Sequence, residues 1–325
     1  MTGTAEIEVS GWALGAFATY LLVVVGIGIW AARFSSAGTG EFFIGGRRMG
    51  RFVVAVSAVV SGRSAWLLLG VTGMAYTRGA SAVWAMVGYV AVELLLFLTF
   101  AGRLRRFTEA KGCITLPDFF AERFDDRDGR LRVVLVAVIL VFMVAYVSAQ
   151  LVAGGKAFAG GFGMEPGVGI VVTAAIVLVY TALGGFLAVS ITDCVQAVIM
   201  LAMLVVLPAV VLVDLGGAGR SLEMVRALDP ALLDFTALGF GVLIGFLGIG
   251  LGSPGNPHIV ARYMSIRDPG QLRWSAVIGT AWNVFLGAGA LAVGLIGRAA
   301  YPDVEALPAA DPESLFPFMA RAYLP

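Results

Sequence analysis

The chain has 325 residues, 59% hydrophobic and 13% charged, against roughly a quarter charged in an average soluble domain, which excludes a water-facing globule. Its 22 Lys and Arg against 21 Asp and Glu leave a net charge of +1, so no electrostatic excess recommends nucleic acid as a partner, and the lipid bilayer is the expected solvent. The two cysteines, Cys113 and Cys194, match neither a disulfide framework nor a metal cluster and read as packing residues.

In chain order, the opening MTGTAEIEVS carries no basic stretch, so the apolar run after it is expected to be retained as a span rather than cleaved as a signal. A helix crossing the hydrocarbon core needs about 20 apolar residues. That length predicts eight spans, at 11–32, 51–75, 80–101, 131–158, 167–189, 194–214, 237–260 and 271–300. Only the connection 102–130 is long and polar enough for surface helices. The first, third and seventh connections hold fifteen of the 22 basic residues, among them Arg47, Arg105, Arg106, Arg262 and Arg273. Cytoplasmic loops are enriched in Lys and Arg, so those sides should face the cytoplasm of a bacterial-type inner membrane, with the N-terminus outside.

Two spans are interrupted near their middles. Span two places Ser61, Gly62, Arg63 and Ser64 inside an apolar run, and span seven holds Gly248, Gly250, Gly252, Pro254, Gly255 and Pro257 at similar depth. Irregular backbone at membrane depth is tolerated only where protein buries it or it lines a polar cavity. A pair of such spans in corresponding positions points to an inverted-repeat transporter with its site between them. Residues 61–64 and 250–257 should therefore be unwound. Half-helix N-termini there suit a carboxylate, and freed carbonyls can replace the water shell of a small cation.

Charged groups inside the apolar runs need partners. Arg63 of span two and Glu93 of span three are expected to pair with one another beside the break. Tyr146, Ser148 and Gln150 give span four a polar stripe, Asn283 reads as an interhelical contact, and His258, the single histidine, reads as structural. Enzyme chemistry finds no support: one histidine excludes an H-E-x-x-H zinc site, and neither a phosphate-binding G-x-x-x-x-G-K-[ST] loop nor a G-x-S-x-G elbow is present.

Several long motifs resemble the sodium/solute symporters, and most closely their sodium/proline branch: FFIGGRRMGRFVVAVSA at 42–58, SAWLLLGVTG at 64–73, ITLPDFFAERF at 114–124, YTALGGFLAVSITDCVQA at 180–197 and GNPHIVARYM at 255–264. The resemblance implies an all-α leucine-transporter-like fold of two five-span inverted repeats after one leading span. Residues 1–325 would form a single transmembrane domain, with 51–214 as the first repeat and 237–325 as the start of an incomplete second. The chain is thus expected to be C-terminally truncated, the amphipathic SLFPFMARAYLP leading toward a ninth span.

The resemblance also implies sodium as the coupling ion, held partly by the backbone carbonyls of Val60 and Arg63, with no other cofactor. Ser64, Trp66, Tyr146, Gly250, Ser253 and Asn256 are the expected solute contacts. Departures are informative: the family's proline symporters carry aspartate and methionine where this chain has Gly62 and Arg63, and a tryptophan and a tyrosine where it has Ile249 and Ser253. The function expected is cation-coupled symport of a small organic solute, an amino acid such as proline ahead of another carboxylate. A membrane sensory input module feeding a histidine kinase is the alternative.

Overall fold

The computed structural model describes residues 11–324, so the expectation that the first ten residues stay attached as part of the span lies outside the described residues. Among the described residues the chain is helical, with one isolated backbone bridge, between Met49 and Ile266. The helices are α1 (Gly11–Ser35), α2 (Thr39–Ile44), α3 (Arg51–Ala65), α4 (Thr72–Arg78), α5 (Val83–Leu95), α6 (Gly102–Ala110), α7 (Leu116–Arg123), α8 (Arg130–Phe162), α9 (Pro166–Asp214), α10 (Ala218–Leu228), α11 (Phe240–Gly248), α12 (Pro257–Ser265), α13 (Leu272–Ala300) and α14 (Leu315–Tyr323).

Among the described residues, five helical runs are long and apolar enough to cross a membrane. Two are too long to cross once. At 1.5 Å per residue, the 49 residues of α9 would extend about 74 Å, more than twice a hydrocarbon core of about 30 Å. Each long run folds back at a glycine in a conformation that side chains avoid. Gly185 has φ 54°, ψ −149° and Gly79 has φ 65°, ψ −145°. Tyr89 reaches Gly62, and Glu93 reaches Arg63, joining the two arms on either side of the turn at Gly79. Tyr20 of α1 likewise shares a wall with both Thr173 and Gln196, from the two arms of α9. With α1, α8, α13 and the interrupted α11–α12 segment, eight crossings result.

One boundary moves. The turn between spans five and six falls at Gly185, not around Thr192 and Asp193, because a β-carbon at 185 would meet the Phe42 carbonyl at 2.8 Å and only glycine tolerates both that approach and the positive φ. Thr192 and Asp193 are therefore inside a span and buried. Other ends shift by a turn or less, except that span three continues beyond 101 through a widened turn at Leu96–Ala101 into α6. Span seven likewise runs on to Ser265.

The polar connection 102–130 does hold a surface helix, α7. Thr115 accepts from the Asp118 amide at 3.2 Å while Asp118 accepts from the Thr115 amide at 3.0 Å, a reciprocal cap. Asp126 accepts from the Arg132 amide at 2.9 Å in the first turn of α8, and that bond lowers its carboxyl below the usual range. The amphipathic C-terminal piece forms α14, which lies back over α13 and α8, Leu315 and Met319 packing on Gly297 and Pro317 on Gly160.

The same-side ends of the two interrupted spans are tied together. Met49, just before α3, donates to Ser265 at 3.1 Å and accepts from Arg267 at 2.9 Å. Arg47 adds bonds to the carbonyls of Thr108, Cys113 and Met264, and Arg105 to that of Ile266. Spans two, three, seven and eight thus form one packed group, against which α1, α8 and α9 form the other layer.

Gly79→Ala and Gly185→Ala should each lower the thermal midpoint of the purified protein. Each forces a β-carbon into positive φ, costing on the order of 1–3 kcal/mol, and at Gly79 it would also stand 2.0 Å from the Leu232 carbonyl oxygen. Gly26→Ala, in open space on α1, should leave the midpoint unchanged or raise it.

Candidate functional site

The stretches 61–64 and 250–257, expected to be unwound, are only partly so: in span seven Ile249–Gly255 tightens into a 3-10 turn and Pro257 already belongs to α12. Of residues 61–64 in span two, only Ser64 leaves the helix, its φ of 47° and ψ of −153° lying in a region nearly reserved for glycine. The break takes peptide groups out of the helical ladder, and side chains from three helices take them up. Ser64 Oγ donates to the Ser61 carbonyl at 2.9 Å and meets the Tyr146 hydroxyl. The Ala65 amide donates to Gln150 Oε1 at 3.1 Å, and the Tyr89 hydroxyl donates to the Gly62 carbonyl at 2.9 Å. The Arg63 carbonyl accepts from the Trp66 amide. A carbonyl oxygen has two lone pairs, so one such bond leaves Arg63 able to face an ion.

Span seven is interrupted differently. After α11 the backbone tightens from Ile249 to Gly255 and then extends at Asn256 (φ −85°, ψ 108°) before Pro257 starts α12. Proline suits that first position because it has no N–H to leave unpaired there. The Asn256 carbonyl accepts from the amides of Ile259 and Val260.

The break in span two faces a cavity of about 890 Å³. Val60, Ser64, Tyr146 and Gln150 line it together with Tyr20, Tyr180, Gln196 and Asp193. The expected solute contacts divide here. Ser64 and Tyr146 are on the cavity, whereas Trp66, Gly250, Ser253 and Asn256 are not among its lining residues. Trp66 stacks with Tyr89 at 5.9 Å between centroids, and Gly250 packs so closely on α5 that a β-carbon would meet the Gly88 carbonyl at 2.8 Å. Ser148 bonds back to its own helix at Val144, leaving Tyr146 and Gln150 as the polar face of α8.

The group most easily overlooked in the sequence is a buried pair at the floor of this cavity. Asp193, 7% exposed, accepts from Arg262 Nη2 at 2.9 Å, Ser57 Oγ at 2.6 Å and Ser61 Oγ at 2.8 Å; Arg262, 5% exposed, also donates to Ser57 Oγ at 3.0 Å and to the His258 carbonyl. In the sequence Asp193 reads as a turn residue and Arg262 as a loop charge. Asp193 stands three residues before Gln196, with Ser190 and Thr192 just ahead of it, between two long apolar runs, and that polar cluster is the available signal. His258 stacks on Tyr146, centroids 5.0 Å apart. His258 and Arg262 also line a second cavity of about 800 Å³ reaching Phe42, Thr115 and Arg132, so this pair and its neighbours partition two chambers.

On the opposite side of span two, Arg63 is fully buried and its guanidinium lies 3.6 Å from the Tyr89 ring centroid. Arg63 Nε donates to Asn283 Oδ1 at 2.7 Å, Asn283 Nδ2 donates to Glu93 Oε2 at 2.5 Å, and Arg63 Nη2 stands 3.9 Å from that same oxygen. Asn283 thus bridges the two charges, a role its sequence context did not announce. Arg63 points away from the cavity, so its side chain is poorly placed to meet a solute there.

Eight crossings, two of them interrupted, with a largely apolar chamber into which Ser64, Tyr146, Gln150 and Asp193 bring polar groups, define a multi-pass membrane protein. The chain belongs to the sodium:solute symporter family, whose model matches residues 42–313. Relatives named sodium/proline symporter from Staphylococcus aureus strains JH9 and COL are each 38% identical over 306 residues, covering 94% of this chain. The chain spans 59% of the length of these curated relatives. The solved structure of a Na+-coupled sialic acid symporter, substrate-bound and outward-open, superposes with a TM-score of 0.85 over 98% of this chain and 68% of that one, at 18% identity. That likeness establishes the leucine-transporter-like fold.

Removing one member of a buried ion pair costs about 3–5 kcal/mol, whereas apolar replacement of both can be near neutral. Arg63→Met and Glu93→Leu should each lower the thermal midpoint sharply, and the double variant should recover much of the loss. A double variant as unstable as the two single losses added together contradicts a coupled pair.

Proposed function

We propose that this chain carries the ion- and solute-holding part of a sodium-coupled symporter for a small organic solute, an amino acid such as proline ahead of other carboxylates. The observation that carries the reading is the break at Ser64, which lies with Val60 and Ser61 on the wall of a chamber large enough for such a solute. Sodium coupling and a proline-like cargo draw support from relatives bearing that name at 38% identity. Because the chain spans 59% of their length, transport is a property proposed for the complete protein.

In this reading residues 51–214 act as the first five-span repeat and 237–325 open the second. Val60 and Arg63 offer carbonyls to sodium, and Ser64 and Tyr146 with Gln150 meet the solute. Trp66, Gly250, Ser253 and Asn256 shape the interrupted spans behind that wall. The arginine-bearing connections face the cytoplasm of an inner membrane and the N-terminus lies outside, in keeping with the bias of basic residues. Alternating access follows if the group of spans two, three, seven and eight rocks against α8 and α9. Those layers meet at the Asp193–Arg262 bond, so that bond must break or move as the inner side opens. Arg63 and Glu93 keep span two fixed to spans three and eight during the motion.

Uptake of labelled proline and other small carboxylates into proteoliposomes holding the complete protein tests this. Replacing sodium by choline at fixed pH should abolish accumulation, and Asp193→Asn should reduce it at least tenfold while the protein still assembles. Uptake indifferent to the cation removes the coupling assignment.

A further inference from the structure

Several basic side chains on the arginine-rich side are already engaged. Arg47 is bonded to carbonyls, Arg105 to Glu109 and Ile266, Lys111 to Glu122, Arg127 to Asp125, Arg130 to Asp128 and Arg132 to Asp118. Others, such as Arg33, Arg48, Arg123 and Arg267, have no such partner among the described residues, but only three of the unpaired group converge on one pocket. Arg103 and Arg106, at the start of α6, and Arg273, in the first turn of α13, converge on one pocket of about 310 Å³, and among the described residues none of the three has an ion-pair or hydrogen-bond partner. The nearest carboxylates in sequence are occupied: Glu109 by Arg105, and Asp268 by the Gly270 amide at 2.8 Å.

The other wall of the pocket is apolar. Phe97, Leu98 and Leu272 line it, and Leu98 is 61% exposed, with Leu95 and Val277 exposed on the same two spans. Sequence fixes the depth: apolar residues end at Ala101 and Gly102-Arg103 begin the charged stretch, so the arginines stand at the membrane surface with Leu98 about a turn inside it. Trp274 is half-exposed, with the Arg51 guanidinium 5.9 Å from its ring centroid. Aromatic side chains of that kind favour the headgroup level. The α13 N-terminus adds its partial positive charge.

A cationic cup opening onto an apolar wall at headgroup depth fits one chemistry. We propose that the pocket between α6 and α13 binds an anionic phospholipid of the adjoining leaflet, its phosphodiester held by Arg103, Arg106 and Arg273 and an acyl chain lying along Leu98. Basic pockets between spans on the side of the positive loops hold acidic headgroups by this combination. The consequence reaches the interior, because the two helical runs it joins are those that carry Glu93 and Asn283. A lipid at their ends braces the same helices that hold Arg63.

Calorimetric titration of the detergent-purified protein with dioctanoyl phosphatidylglycerol tests this, with dioctanoyl phosphatidylcholine and glycerol phosphate as parallel arms. Saturable binding is expected for phosphatidylglycerol alone. Arg106→Gln and Arg273→Gln should each weaken it roughly fivefold, since a basic side chain near an anionic surface contributes about that factor. The triple change with Arg103→Gln should abolish measurable binding, and Arg127→Gln, remote and paired, should not alter it. All three positions are exposed, so the single variants should fold. Equal binding of phosphatidylcholine, or unchanged affinity in Arg106→Gln and Arg273→Gln, overturns the site. Equally tight binding of glycerol phosphate overturns the lipid assignment in favour of a free phosphate.

Discussion

The arrangement depends on a constraint of the bilayer: a peptide group taken out of a helix in hydrocarbon must be given another partner. Ser64 is where the chain meets that constraint. Its backbone sits where glycine is at home, and the surrounding spans supply what the broken ladder loses. Gln150 takes the Ala65 amide, Tyr89 serves the Gly62 carbonyl, and Ser64 with Tyr146 serves that of Ser61. These partners come from spans two, three and four, so the break itself helps to hold those spans in register. A chamber follows because α8 must stand close enough to donate and accept, yet far enough to leave room behind it.

Two buried charge groups flank the break and act on different neighbours. Arg63, Asn283 and Glu93 join span two to spans three and eight within one packed group. Asp193 and Arg262, with Ser57 and Ser61, join span two to spans six and seven across the boundary between layers. The first group lies within one layer; the second bridges the two. In the first, Arg63 finds Asn283 and Glu93 on the side of the helix away from the chamber.

Much of this was legible in the residues. Length and apolar runs predict eight crossings, and glycine, proline and polar residues at mid-span predict both interruptions. The turn at Gly185 was missed because Gly184 and Gly185 lie within a continuous apolar run, while Thr192 and Asp193 look like a polar turn. Hydropathy reports composition, whereas the turn depends on a positive φ that only glycine accepts beside Phe42. The same displacement hid Asp193 from the site. The resemblance gives Trp66 as a solute contact beside Ser64, but residues two apart on a helix point to different sides, and Trp66 turns to Tyr89 instead. Side choice, unlike span position, requires knowing which helix stands opposite.

The central claim is that span two opens at Ser64 onto a chamber reached by water. Thiol accessibility measures this directly in a background with Cys113 and Cys194 replaced by alanine. A cysteine at position 64 should react with a membrane-impermeant methanethiosulfonate, and a cysteine at Leu67, which is fully buried, should not. Equal protection of both positions, with reaction only by lipid-soluble reagents, would mean a continuous helix without a chamber and would contradict the account.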